Sequence, residues 1–184
     1  MLNYPFPENE VERIKRLTTY DLKGLGKEPE FDVFAEAACL ITDCRYSIIA
    51  IMEEETQFIQ SCVGLELDSV ERHNTICQYT VLSKDVLIID DTLNDPRTAT
   101  NSLILAGNIR FYVGLPIMDD DGFVLGTICA VDTEPKILSE KQINTLKQLG
   151  EAVTKLFLSK KHKVQSSYFE ELVAVSNNLI CVLD

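Results

Sequence analysis

The stretch from Arg110 to Asp132, RFYVGLPIMDDDGFVLGTICAVD, constrains the fold of this chain more than any other. It reads as two β-strands, Phe111 to Ile117 and Phe123 to Val131. They are joined by an Asp-rich turn whose Asp121-Gly122 step supplies the positive φ that a tight hairpin needs. Apolar residues occupy both alternating sets, as in Phe111, Tyr112 and Val113 or in Cys129, Ala130 and Val131. A strand that is apolar on both faces belongs inside a sheet. Small residues at Gly114, Gly126, Thr127 and Ala130 leave room on one face for a helix, another backbone or a small ligand.

The remaining pattern supplies partners for this hairpin. Asn9 to Tyr20 reads as a short amphipathic helix, with Asn9 and Glu12 at capping-box spacing and Val11, Ile14 and Leu17 forming a narrow stripe suited to a partner helix. Pro29 suits the first turn of a second helix, in which Phe31, Phe34, Ala38 and Ile41 recur at helical spacing and face the sheet. Tyr46 to Met52 and Thr56 to Val63 form a second hairpin around the solvated turn Glu53-Glu54-Glu55. The region from Gly64 to Asn108 is the least regular. It holds a short helix from Ile76 to Leu82, a strand from Val86 to Ile89, a helical turn opened by Asp95-Pro96, and a short helix from Asn101 closed by Gly107. A long helix starts at Ser139, with Ile143, Leu146, Val153, Phe157 and Val164 spaced roughly by heptads and Gly150 interrupting the seam. The fold class is therefore α+β, a central antiparallel sheet with helices on both sides and a long C-terminal helix.

Charge and cysteine usage exclude several functions. The net charge of −12 repels phosphate backbones and anionic lipid, which argues against nucleic-acid and membrane-surface partners. No apolar run approaches the ~20 residues of a membrane helix, and Met1-Leu2-Asn3 begins no signal peptide, so a cytoplasmic location is expected. Six cysteines without a CxxC pair read as reduced thiols.

Two segments carry a family resemblance. Ile76 to Arg97, ICQYTVLSKDVLIIDDTLNDPR, joins a Cys-containing short helix to an apolar strand, an acidic pair and an Asp-Pro-Arg turn. The central hairpin follows. In this order of elements the chain resembles a GAF domain, with Thr98 standing where many relatives carry an aromatic. The tail from Tyr168 to Asp184 resembles the opening of a PAS domain. The implied organisation is an N-terminal helix and linker (1–27), a GAF domain (28–158), a linker helix (159–170) and the truncated start of a PAS domain (171–184). Such strings are similar to the sensory halves of bacterial histidine kinases and diguanylate cyclases.

The resemblance implies a ligand pocket between the sheet and the irregular region, floored by Gly126 and Thr127. The polar candidates for ligand binding are Cys77, Asp90, Asp91, Arg97, Asn101, Tyr112 and Thr127. For each, capping, turn-making or edge solvation is the competing reading. His73 and Cys77 share a helical face but lack third and fourth ligands for zinc. Bilin-binding and cyclic-nucleotide-binding relatives carry motifs that this chain lacks, and no cofactor is named. The expected function is a non-catalytic sensory domain that binds a small molecule and acts as a homodimer through helices 9–20 and 139–163. One alternative is a ligand-free dimerisation scaffold, its pocket filled by Phe111, Tyr112 and Leu103. The other is a Cys-dependent free methionine sulfoxide reductase, in which Cys77 and Cys129 approach one another. The acidic tip, Asp119 to Asp121, is expected to be solvated.

Overall fold

The doubly apolar hairpin lies at the middle of a six-stranded antiparallel sheet, because only flanking strands and a layer on each face can remove both of its apolar sets from water. In the computed structural model, which describes residues 5–20 and 27–159, the strands are β1 (Tyr46–Met52), β2 (Thr56–Val63), β3 (Ser69–Glu71), β4 (Leu87–Ile89), β5 (Phe111–Met118) and β6 (Val124–Asp132). Their order across the sheet is β3-β2-β1-β6-β5-β4. All nine residues of β6 are buried. Gly122 at the hairpin turn has φ 81°, as the Asp-Gly step required. The expected linker helix at 159–170 and PAS segment at 171–184 lie outside the described residues, save for Ser159. The chain divides into Met1–Thr154 and Lys155–Asp184, and the sheet belongs to the first unit.

Register fixes which side chains share a face. Cys129 of β6 stands opposite Gly114 of β5 and Ile48 of β1. On the face of the sheet that carries Val113 and Leu115, α2 (Pro29–Thr42) packs against β1, β2 and β6, and α5 (described over 140–159) meets β5 at Leu115. Phe31, Ala35 and Ala38 of α2 are buried, and the Ser47 hydroxyl donates to Ala35 O at 2.6 Å. Ser139 and Gln142 cap α5 reciprocally, the Ser139 N–H on Gln142 Oε1 at 3.0 Å and the Gln142 N–H on Ser139 Oγ at 3.3 Å. A Cβ on Gly150 would stand 3.2 Å from Leu115 Cδ2, so the glycine that interrupts the heptads is where α5 closes on β5. Leu146 and Val153, read as a seam for a partner helix, are buried in this chain.

The opposite face carries α3 (Cys77–Thr80), α4 (Ser102–Ala106) and a 3-10 turn, Arg72–Asn74. Here Ile76, Cys77, Val81, Ile89, Ile104, Tyr112, Cys129 and Val131 form one buried cluster. The Asp95-Pro96 segment makes the helical turn expected of it, closed by the Ala99 N–H on Asp95 O at 2.9 Å and not continued into a longer helix. Asp95 caps this turn, its Oδ1 accepting the Arg97 N–H at 2.9 Å and the Arg97 guanidinium at 2.8 Å. Strand β3 was not expected from its mixed, charged sequence; it forms because β2 offers an open edge.

Helix α1 (Glu10–Thr18) begins without a side-chain cap from Asn9. What holds it is a set of buried charges. Arg13 is 1% exposed and donates to Met52 O at 2.6 Å and Val124 O at 3.2 Å, while Glu10 accepts from both Arg13 and Arg72. Leu17 is buried, so part of the narrow apolar stripe is used within the chain. The hairpin tip is not wholly solvated. Asp119 is buried, accepting the Asp121 and Phe123 N–H groups at 3.0 and 2.9 Å and the Arg16 guanidinium at 2.6 Å. A carboxylate that organises a turn and receives a charge from α1 gains more by withdrawing from water than an ordinary tip residue does.

Candidate functional site: an apolar cavity floored by two thiols

Between the sheet and α3–α4 lies a cavity of about 290 Å3. Strand alternation supplies its floor, with Tyr46 and Ile48 from β1, Gln57 from β2, Tyr112 from β5, and Cys129 and Val131 from β6. Its roof comes from the irregular region, chiefly Leu65, Leu67, Ile76, Leu103, Ile104 and Ile109. Leu103 is 48% exposed and still lines the cavity, which places it at the mouth. Every charged residue type is missing from the described lining, and the residues with polar side-chain groups are Tyr46, Gln57, Asn74, Thr75, Cys77, Tyr112 and Cys129.

The floor is organised by Tyr112. Its hydroxyl lies 2.6 Å from Thr80 Oγ1 and donates to Cys77 Sγ at 3.4 Å, and Cys77 Sγ lies 3.6 Å from Cys129 Sγ. Tyr112 reaches this position because residue 114 is glycine. The ring lies along β5 over a site where a Cβ would meet the phenol oxygen at 2.1 Å. The hydrogen bond from the Cys129 thiol, joined by Thr127, Tyr112 and Gln57, outweighs burial and draws the Cys77 thiol below its ordinary range. Sharing that hydrogen bond, together with burial, pushes Cys129 well up. Burial, reinforced by the two sulfurs, raises the Tyr112 phenol as well. Thr127 Oγ1 and Gln57 Oε1 are buried without a well-formed hydrogen bond, so their influence on Cys77 is one of proximity.

The seven residues expected at the site separate clearly. Cys77 and Tyr112 line the cavity, and Thr127 lies beneath them. Asn101 acts at one remove. Its Oδ1 accepts the Leu103 and Ile104 N–H groups at 3.0 and 3.1 Å, and its amide donates to Asn74 O, tying α4 to the 3-10 turn. Asp90 is exposed and outside the lining. Asp91 takes both Arg110 nitrogens at 2.9 and 2.7 Å, which holds its carboxyl below the usual range. Arg97 is engaged by Asp95 at 2.8 and 2.5 Å. Asp91 and Arg97 shape the loop, and none of the three takes part in the lining. Gly126 is not part of the floor either, since a Cβ there would strike Ala50 O of β1. Thr98, in place of an aromatic, is buried and donates to Thr92 O at 2.6 Å. Phe111, expected to help fill a closed pocket, is buried elsewhere, and the cavity remains open.

The residues missed were mostly apolar. Ile48, Leu65, Ile109 and Val131 carry no chemical signature, and only strand alternation in β1 and β6 could have nominated Ile48 and Val131. The sheet order, the cavity's position under α3 and α4, and the sequence agree in one respect: residues 28–155 match the GAF domain family. The chain belongs to the GAF family. Over 97% of its length it is 28% identical to a cyclic di-GMP phosphodiesterase of Pseudomonas aeruginosa, of which it spans only 30%. Among solved structures, the GAF domain of an Acinetobacter phosphoenolpyruvate-protein phosphotransferase superposes with a TM-score of 0.60 at 12% identity, over 88% of this chain and 99% of that one. The type II free methionine-R-sulfoxide reductase of Thermoplasma acidophilum gives 0.58 at 13% identity, over 70% and 89%. At such identities these two establish the shared fold alone. No helix among the described residues of this GAF domain is long and apolar enough to cross a membrane.

Proposed function

We propose that this GAF domain is a non-catalytic sensory module that takes a small, largely apolar molecule into the cavity beneath α3 and α4. The observation that carries this reading is the lining itself, an apolar wall around a few convergent polar groups, which is the usual make-up of a small-molecule site. A free amino acid such as methionine sulfoxide would bury an ammonium and a carboxylate with no charged partner in that lining, and a cyclic nucleotide would bury a phosphate. Both are therefore disfavoured as ligands.

Similarity along nearly the whole chain to a cyclic di-GMP phosphodiesterase supports an output in cyclic di-GMP signalling ahead of a histidine kinase. In this scheme the domain works in the cytoplasm, and occupancy passes to the output through α1 and α5 of a homodimer. A ligand shifts such an assembly only by its differential affinity for two packings. A strictly monomeric chain in sedimentation equilibrium at high concentration would remove the dimer from the scheme.

The test uses 1-octanol as probe and thermal unfolding as readout. At tenfold excess over Kd, binding to the folded state raises Tm by roughly 3–6 °C for a domain of this size. Leu103→Trp, which fills the mouth from a half-exposed position, should abolish the rise while leaving the unliganded Tm within about 2 °C. No rise in the wild type, or an equal rise in the variant, would remove the cavity as the site.

A further inference from the structure

The floor of the cavity holds a feature that ligand binding does not require. Cys77 opens α3 and Cys129 lies at the centre of the sheet between β1 and β5, yet their sulfurs are 3.6 Å apart and both line the same cavity. All five described cysteines are free thiols, and this is the pair whose sulfurs are in contact. The ~2.05 Å of a disulfide asks the sulfurs, now 3.6 Å apart, to approach by about 1.5 Å. The two thiols are also unequal, Cys77 being drawn toward the thiolate by the hydrogen bonds around it while Cys129 is held protonated. That asymmetry is what an attacking and a resolving sulfur need.

We propose that Cys77 and Cys129 form a dithiol that an organic hydroperoxide entering the apolar cavity oxidises to a disulfide. In the first step Cys77 sulfur attacks the terminal peroxide oxygen. An S–O bond forms, the O–O bond breaks, and the leaving alkoxide takes the thiol proton, giving Cys77 sulfenic acid and an alcohol. In the second step Cys129 sulfur attacks the sulfenic sulfur, and the S–O bond breaks as the S–S bond forms. Hydroxide leaves with the Cys129 proton as water. Two thiols and one hydroperoxide thus give a disulfide, an alcohol and water. A dithiol reductant reverses the change by exchange. Tyr112 Oη, 3.4 Å from Cys77 Sγ and anchored on Thr80, is placed to hydrogen-bond the attacking sulfur. The lining selects the oxidant class, because an alkyl chain gains on entering an apolar cavity and hydrogen peroxide does not. The disulfide would tie α3 to β6 across the cavity floor, so oxidation would also remove space from the ligand.

This inference rests on the cavity admitting small apolar molecules, as the proposed function requires. The experiment treats the reduced full chain with stoichiometric cumene hydroperoxide or hydrogen peroxide and follows it by intact mass and peptide mapping. The expected result is loss of two hydrogens, a crosslink between the Cys77 and Cys129 peptides that dithiothreitol reverses, and a rate with cumene hydroperoxide at least about tenfold above that with hydrogen peroxide. Cys129→Ser, nearly isosteric, should stop at a sulfenic acid on Cys77 that dimedone captures, and Cys77→Ser should give neither product. Circular dichroism would establish that both variants fold. A crosslink through other cysteines, an inert pair, or equal rates with the two oxidants would overturn the inference. If octanol binds and the pair is inert, the inference fails and the sensory reading stands. If octanol does not bind but hydrogen peroxide forms the crosslink as fast as cumene hydroperoxide, both fail.

Discussion

Gly114 is the residue on which the floor of the cavity turns, and Gly114→Ala is the substitution with the most to teach. In an unconstrained strand the change would help, since glycine inside a strand is less stable than alanine by roughly 0.5–1 kcal/mol. Here the new methyl would stand 2.1 Å from Tyr112 Oη, 2.6 Å from its Cζ and 2.8 Å from Thr80 Oγ1. The ring must leave. Forcing a methyl into a packed interior costs about 1–3 kcal/mol. Displacing the phenol also breaks its bond to Thr80, which is fully buried, and an unsatisfied buried hydroxyl costs roughly 1–3 kcal/mol more. Subtracting the propensity gain leaves a net destabilisation of about 1–5 kcal/mol. Urea unfolding would show it as a fall in midpoint at unchanged m. The decisive comparison is the same substitution in a Tyr112→Ala background, where the phenol is gone, only the Thr80 hydroxyl still has to turn aside, and Gly114→Ala should cost less than about 1 kcal/mol. An equal cost in both backgrounds, or a wild-type cost under about 0.5 kcal/mol, would refute the argument that this glycine exists to seat the tyrosine.

Two further outcomes follow from the charge arrangement. Burial works to raise the Glu10 carboxyl, but hydrogen bonds and charges from Arg13 and Arg72 outweigh it and hold the group below its ordinary value of 4.5. Because the folded-state pKa is depressed, this stabilisation is complete above about 4.5 and is lost as pH falls through the lower folded value. Urea midpoints measured from pH 6 down to pH 3 should fall with a shallower slope in Glu10→Gln than in the wild type; parallel slopes would dismiss the account. At the loop, Asp90→Ala, Asp91→Ala and Arg97→Ala should leave octanol affinity within about twofold, whereas Asn101→Ala, which uncaps α4, should weaken it and cost about 1 kcal/mol in stability. A tenfold loss of affinity in any of the first three would restore the loop as a binding surface.

Much of the fold could be read from the chain because its strands and α2 are written in periodicity. β1, β2, β5 and β6 lie close to where alternation placed them, and α4 begins at the Asn cap and ends at the Gly that marked it. Less of the site was legible. Polar residues were nominated because they carry chemistry, and the loop consumed Asp91 and Arg97 in its own turns and ion pairs. Asp119 shows the converse. Its neighbours Asp120 and Asp121 made a solvated tip the natural reading, and the arrival of Arg16 and the Tyr20 hydroxyl adds distant partners to the two turn N–H groups that its buried carboxylate accepts.

The hairpin at Arg110–Asp132 therefore marks the division. Its alternation, its small residues and its Asp-Gly turn determine a buried antiparallel pair and hence an α+β sheet covered on both faces, because those properties are local and repeat every two residues. What lies above Gly114 is not local. Whether that space is filled, and by what, depends on Tyr112 folding back over the glycine, on α3 bringing Cys77 across 52 residues to Cys129, and on α4 standing far enough away to leave about 290 Å3 empty. Those distances come from how separate elements close on one another, and no spacing in the chain encodes them.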